Sequence, residues 1–506
     1  MQGRFQEITR SILRGPAQPV PARYAARLMA TVIVAAGTPS AAQAGVEAAQ
    51  GVGNAIDAAA AAAMASWVCE PGMTALGSAA IAIVSPAGGT PYLIDGLTAM
   101  PGLGGHVGEP PGGQQITMPY GPGVRTGIGP ASIAVPGGLA AVELIQQRWG
   151  VGAWADTVAP AIRLAADGFP YPSVSAAYLP ISGEPIYDLT EGSRAIWRCA
   201  DGQPREVGAR ATLPMLAADL ERIAAEGAAL FYTGELGEQI GGWIVAHGGA
   251  CGPEDLAAYR VGVREPVHVD SHSWTISTTD TIGGSALIEL LAGFARVGIG
   301  SQNESASLVE VMTRALARRD DLLRKASAST TQISAVDEFG NACSITTSTG
   351  YGSGVVVPGT GIMLNNMLGE LELLPSGPGV LKPGERLPSN MTPMIATRGE
   401  AVVALGAAGA DRIAPSMAQT WRGIAARAEH SQAAVESPRF HVRTAEAGHI
   451  LDHEPGLDTT AITIPKHCFD APHMYFGGVQ AAMRSQDGSL EGAGDPRRGG
   501  VVARGP

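Results

Sequence analysis

The 506-residue sequence predicts an α+β fold, and three observations carry that prediction. Residues 331–347 read as two β-branched runs with period-2 alternation, joined by the turn residues Asp337, Gly340 and Asn341, which is the pattern of an antiparallel hairpin. Ala79 to Val84 and Tyr92 to Ile94 read as a second hairpin around Ala87-Gly88-Gly89. Helical periodicities come in runs of their own rather than one after each strand, which argues against a doubly wound parallel sheet.

Taken in order, residues 41–68 place Ala, Val and Ile at helical spacing and read as one Ala-rich helix. Asn54 and Asp57 inside it serve either solvation or an internal hydrogen bond. Pro71 to Ser78 reads as a loop. Residues 102–130 are rich in Gly and Pro and read as an irregular loop beside a functional site, since long structureless loops in compact domains usually serve function. Helices are expected at 137–148, 154–167, 212–226, 234–247, 284–297 and 303–325, and strands at 266–278, 331–347 and 400–406.

Composition narrows the function. With 45% hydrophobic residues, 5% aromatics and abundant Ala and Gly, the chain is suited to a large, closely packed core. A net charge of −12 argues against a nucleic-acid surface. The five cysteines (Cys69, Cys199, Cys251, Cys343, Cys468) are scattered and odd in number, with no CxxC pair. They suggest neither a disulfide framework nor a zinc site, and read as buried small apolar residues. No HExxH or P-loop is present, so no metal or cofactor is expected. Met1 to Pro16 carries Arg4, Glu7, Arg10 and Arg14 without a continuous apolar run, and Ala58 to Val68 is too short to span a bilayer. The expectation is a cytoplasmic protein with no membrane partner.

The chemistry centres on the 330–354 region. A hairpin centred near Phe339 sets Ser348 opposite Thr330, within reach of a hydroxyl–hydroxyl hydrogen bond. Gly352-Ser353-Gly354 adds unobstructed backbone amides suited to an oxyanion hole. Together they read as a candidate acyl-transfer site; composition alone also allows a Thr/Ser-rich core hairpin. A Thr hydroxyl needs a nearby base. A free α-amino group, with a pKa of about 7.7–8.0, supplies one on the same residue if Thr330 becomes a chain terminus.

The order of the motifs goes further. Thr330-Thr331-Gln332-Ile333-Ser334-Ala335-Val336-Asp337, Gly340-Asn341-Ala342, Leu364-Asn365-Asn366-Met367-Leu368-Gly369-Glu370 and Pro388-Ser389-Asn390-Met391-Thr392-Pro393 closely resemble the γ-glutamyltransferase family of N-terminal-nucleophile hydrolases. Upstream, Gly53-Asn54-Ala55-Ile56-Asp57, Val135-Pro136-Gly137-Gly138 and Asp167-Gly168-Phe169-Pro170 continue the pattern, and Gly494-Asp495-Pro496-Arg497 closes it. The resemblance implies a four-layer αββα sandwich. It implies self-cleavage at Ser329–Thr330 into a large subunit, 1–329, and a small one, 330–506, held together as a heterodimer. By the same resemblance Thr330 is the nucleophile, and Thr331, which follows it, is expected with Leu97 among the substrate-binding residues. Ser348 is the hydroxyl partner, Gly409 and Ala410 supply the oxyanion-hole amides, and Ser389, Asn390 and Glu370 hold the carboxylate and amino group of a small-molecule substrate. Without it, Glu370 also reads as a solvated loop charge, and Ser389 and Asn390 as turn formers before Pro393.

Departures from the family pattern bear on substrate. Leu97 stands where the family carries an Arg that grips the glutamyl α-carboxylate, and Met367 stands where Gln is usual. Losing a bidentate charged contact costs on the order of a hundredfold in affinity, so an ordinary γ-glutamyl substrate is disfavoured unless another group, such as Arg125, replaces it. The segment Arg324-Lys325-Ala326-Ser327-Ala328-Ser329 is short, polar and small, as a cleavable loop should be, and is shorter than in typical relatives. The leading expectation is a self-processing Thr hydrolase or acyltransferase acting on an amino-acid-like substrate. One variant is a C–C bond hydrolase removing an oxalyl-type fragment from a pyrroline amino acid in antibiotic biosynthesis. The rival from another class is an inactive binding homologue.

Overall fold

The computed structural model describes residues 30–119, 123–322, 329–445 and 448–505, with backbone alone for 319–322 and 329. The N-terminal stretch Met1 to Pro16 and the loop residues 324–328 lie outside the described residues.

Two large antiparallel sheets face each other. In chain order the main elements, including the strands of these sheets, the helices over them and a separate β4–β5 hairpin, begin with β1 (Val32–Ala36), helices α1 (Pro39–Ala49) and α2 (Ala55–Cys69), β2 (Ala79–Ser85) and β3 (Tyr92–Gly96). There follow β4 (Gln114–Met118), β5 (Val124–Ile128), α3 (Gly138–Trp149), α4 (Trp154–Asp167), β6 (Gly262–Arg264), β7 (Val267–Ser271) and β8 (Trp274–Thr278). Next come α5 (Ile282–Phe294), α6 (Glu304–Leu322), β9 (Ser329–Asp337), β10 (Ala342–Gly350), β11 (Met394–Arg398) and β12 (Ala401–Ala408). The chain closes with α7 (Ile413–Ala426), β13 (Gly478–Arg484), β14 (Leu490–Gly494) and β15 (Val501–Arg504). The first sheet has seven strands in the order β15-β1-β9-β10-β2-β3-β6, and the second has six in the order β14-β13-β12-β11-β8-β7.

Side-chain alternation distributes each strand between two cores. On β2, Ala80, Ala82 and Val84 pack toward α1–α4, while Ile81 and Ile83 face the second sheet. On β12, Val403, Leu405 and Ala407 pack toward α5–α7, while Val402 and Ala404 face inward. Helices outside, sheets inside: the molecule is the four-layer αββα sandwich. Strands covered on both faces are apolar along their length, which is why every residue of β1, β2 and β12 is buried.

The single helix expected over 41–68 is two helices. Gly51, at φ 103°, breaks the first, and Asn54 starts the second: its Oδ1 accepts from the N–H groups of Ile56 (2.8 Å) and Asp57 (3.1 Å), while Asp57 accepts from the Asn54 N–H at 3.0 Å. This capping box satisfies amides that would otherwise be orphaned. Asp57 is 1% exposed and also accepts from the amides of Val151 and Gly152, so its role is internal. Residues 102–130, expected to be irregular, contain the β4–β5 hairpin. The alternating stretch 266–278 is two strands around a turn whose residues His272 and Ser273 have positive φ. Of the cysteines, Cys69, Cys251 and Cys343 are buried, but Cys199 is half-buried and Cys468 exposed, so burial does not describe them all.

Candidate active site

Strands β9 and β10 carry hydroxyls on both faces, and the two faces lead to different surroundings. Even-numbered side chains of β9 point to the second sheet: Gln332 lies against Gly406 of β12, and Ser334 donates to the Gln480 carbonyl at 2.9 Å. From β10, Ser344 donates to the Leu405 carbonyl at 3.1 Å and Thr346 to Gln332 Oε1 at 2.7 Å. Alternation puts Thr330 and Ser348 on this same inner face. Each is 2% exposed.

The ladder slips where these two meet. Thr331 pairs with Thr347, yet Ser329 pairs with Gly350, so Ser348 and Thr349 together stand across from Thr330. A bulge of this kind bends the strand, re-aims a side chain and interrupts the ladder. Ser348 Oγ accepts from the Gly350 N–H at 3.0 Å. Thr331 sits on the opposite face, where its hydroxyl is hydrogen-bonded to the Glu70 carboxyl beneath the helices. The structure therefore turns Thr331 away from Thr330, and the substrate-binding role expected of it does not fit a hydroxyl engaged by Glu70 on the opposite face.

Glu370 follows the short turn Met367–Gly369. Its carboxyl lies beside Gly350, at the end of β10, and is 1% exposed. Neither oxygen has a hydrogen-bond partner among the described residues. Burial, and next the neighbouring carboxylate of Glu372, push its pKa well above the usual range. Glu372 accepts from the Tyr351 hydroxyl at 3.3 Å, and burial pushes it up to about 8. Sequence reading missed Glu372; an acidic residue two places beyond another in a loop carries no signal of burial. Asn366 holds the surroundings together, accepting from the Tyr351 N–H at 2.7 Å and donating to Thr126 Oγ1 at 3.0 Å. Thr126 is on β5, so the 102–130 segment does reach the Glu370 turn. Arg125, next to Thr126 on that strand, is exposed.

Ser389 and Asn390, 8% and 6% exposed, lie against the N-terminus of α5. The Thr281 hydroxyl donates to the Met391 carbonyl at 3.0 Å, and a β-carbon at Gly283 would come within 2.0 Å of the Asn390 carbonyl oxygen. Only glycine permits that approach. Gly409 and Ala410 form the turn from β12 into α7, with φ of 139° and 59°. A left-handed alanine is uncommon and costs about 1–2 kcal/mol, so the fold imposes this turn. By contrast, the N–H groups of Gly352 and Ser353 bond the carbonyls of Thr349 and Leu364. Those amides are spent on the fold, so the glycine-rich run reads as a structural turn rather than the oxyanion-hole donor expected of it.

Leu97 is 6% exposed and shares one apolar cluster with Met367, Leu387 and Met391. Two departures from the family pattern thus belong to one buried apolar cluster. Leu97 is anchored by its backbone, its N–H donating to Asp95 Oδ1 at 3.1 Å and its carbonyl accepting from the Tyr259 hydroxyl at 2.6 Å. Arg386 approaches the same segment but is tied to Asp95 (3.3 Å) and lies over the Tyr259 ring.

The family model described as Gamma-glutamyltranspeptidase matches residues 41–328 and 323–505. The chain belongs to the gamma-glutamyltranspeptidase family. As a gamma-glutamyltranspeptidase-like N-terminal-nucleophile hydrolase it is an enzyme. It is 28% identical to Acylase ACY 1 proenzyme of Pseudomonas sp. (strain SE83), over 90% of each chain. It is 26% identical to Glutathione hydrolase proenzyme of Escherichia coli (strain K12), over 92% of this chain and 90% of the other. Among solved structures, cephalosporin acylase from Bacillus halodurans superposes with a TM-score of 0.76 at 25% identity, covering 97% of this chain and 98% of its own. LmbA2991HD, at 20% identity and a TM-score of 0.72 over 97% and 100%, shares the fold. Among the described residues no cluster of His, Cys, Asp or Glu suits a metal ion, and no helix is long and apolar enough to cross a membrane.

Proposed function

We propose that this family member is a self-processing Thr hydrolase or acyltransferase whose substrate is an amino-acid-like acyl compound other than an ordinary γ-glutamyl one. The observation that carries the proposal is the convergence of Thr330, Ser348 and the buried, unpartnered Glu370 carboxyl at the bulged end of β9 and β10. In maturation, Thr330 Oγ attacks the Ser329 carbonyl, the Thr330 nitrogen departs as an amine, and water hydrolyses the ester. The products are a 1–329 chain ending in a carboxylate and a 330–506 chain beginning with the nucleophile. In turnover the new amine takes the Thr330 hydroxyl proton as that oxygen attacks the substrate acyl carbon, and returns it to the leaving group. The Gly409 and Ala410 amides face the oxyanion, Glu370 receives the substrate amine, and Ser389 with Asn390 receives a polar group.

Leu97 and Met367 support the substrate restriction, because an apolar surface gives a carboxylate nothing to replace its hydration. The relatives named acylases favour amide cleavage. The same apolar surface also admits the C–C reading, in which an oxalyl-type fragment leaves a pyrroline amino acid.

Intact mass of the purified protein tests maturation: two fragments meeting at Ser329/Thr330 are expected, and Thr330→Ala should stay whole and lose activity by a factor of at least about 10³. An active, uncleaved wild type would sink the mechanism. A kcat/KM panel then tests substrate, with a γ-glutamyl anilide expected at least about a hundredfold below the best acyl or oxalyl amino-acid derivative. Parity between them would show that another group has replaced the missing Arg.

A further inference from the structure

The inner end of β9 is weakly held by its own sheet. Strand β1 pairs with β9 only from Ser334 to Asp337, so residues 330–333 have a ladder partner on the β10 side alone. On that side the register slips between Ser329 and Thr331. A chain end made at Thr330 would therefore begin with a flawed ladder, where ends fray most easily.

On the face away from the site, Thr331 meets a buried carboxyl that plays no part in the chemistry above. Glu70, just after α2, is 1% exposed and accepts hydrogen bonds from the hydroxyls of Thr331 and of Thr38, the latter at 3.2 Å. Thr38 is also the N-cap of α1, its Oγ1 accepting from the Ala41 N–H at 3.3 Å. A β-carbon at Gly37 would lie 2.6 Å from Glu70 Oε2 and 2.7 Å from Thr331 Oγ1. Glu70 and Thr331 are thus packed against a position that only glycine fills. Burial pushes the carboxyl up to about 7, against the pull of the two hydroxyls. Burying such a group is costly unless it does something the fold needs.

We propose that Glu70 is a positioning residue for Thr330: its hydrogen bond to Thr331 pins the first regularly paired residue of β9, holding the Ser329–Thr330 peptide for cleavage and the new chain end afterwards. This rests on the reading of Thr330 as the self-released nucleophile. Glu70 touches no reacting atom; it acts through Thr331.

Cleavage can be timed without knowing the substrate, by following full-length chain and fragments in a cell-free synthesis time course. Glu70→Ala and the nearly isosteric Thr331→Val should each slow cleavage about tenfold or more. The double variant should be no slower than the worse single one, because the two residues form one contact. Glu70→Gln keeps an acceptor oxygen and should restore most of the rate. Hydrogen exchange at residues 331–333 should rise in the slow variants after maturation. Thr38→Val separates positioning from mere stability: it removes a cap and a bond to Glu70, so it should lower the melting temperature while leaving the cleavage rate within about twofold. Cleavage at the wild-type rate in Thr331→Val, multiplicative effects in the double variant, or equal slowing by Thr38→Val would overturn the role of Glu70 and leave that of Thr330 standing. A wild-type chain that never cleaves overturns both.

Discussion

At the scale of single residues, placement on a strand face decides chemistry. Thr330 and Thr331 are neighbours with identical side chains, yet one faces the second sheet and the other Glu70. The carboxylates show a second effect of placement. Glu370 and Glu372 both prefer their protonated forms because burial removes the water that would stabilise charge. For Glu372, raised from 4.5 to about 8, the folded state binds the proton more tightly than the unfolded state between those values. Stability is thus greatest below the lower value and is lost as pH rises through the higher one. Glu372→Gln should raise the melting temperature at pH 8 and leave it nearly unchanged at pH 5. An equal gain at both values would remove burial of this carboxyl as the cause.

At the scale of elements, irregularities position the site. The bulge at Thr330 and the left-handed Gly409–Ala410 turn each break a regular element at a place where the proposed mechanism needs a reacting atom or an amide to be aimed. The capping box at Asn54 does the same for architecture, dividing the Ala-rich stretch so that α2 runs beneath the sheet with all of its residues buried. Asn54→Ala should destabilise the protein by about 1–2 kcal/mol, read as a lower denaturant midpoint with an unchanged slope. Motif order exposed the capping box and the Gly409–Ala410 turn only as family pattern; their geometry depends on packing against Trp149 and Gly477.

At the scale of the molecule, the proposed cut would leave each sheet built from both pieces, with the strands of the two interleaved in the first. The 330–506 piece supplies β10, nearly all of β9, and β15 to the first sheet, and β11 to β14 to the second. The 1–329 piece supplies β1, β2, β3 and β6 to the first and β7 and β8 to the second. Strand β9 lies between β1 and β10, so separating the pieces means opening the centre of a sheet and two apolar cores. Cleaved protein should therefore elute from gel filtration as one species in 1 M salt, with the pieces parting only in denaturant as helical signal is lost. Separation under native conditions would contradict the interleaved topology.

The sequence by itself determined the α+β class, the hairpin pairing across Asp337 and Asn341, most helix positions and the family, because these follow from local periodicity, turn chemistry and motif order. Tertiary structure alone decided that Leu97 and Met367 share one apolar cluster, that Glu70 lies under Thr331, and that the half-buried Glu372 stands beside the buried Glu370. These groups come from distant segments, and neither burial nor the loss of hydration that shifts a carboxyl exists until the layers close over it. Periodicity names the face a side chain occupies; only the packed fold determines what waits on that face.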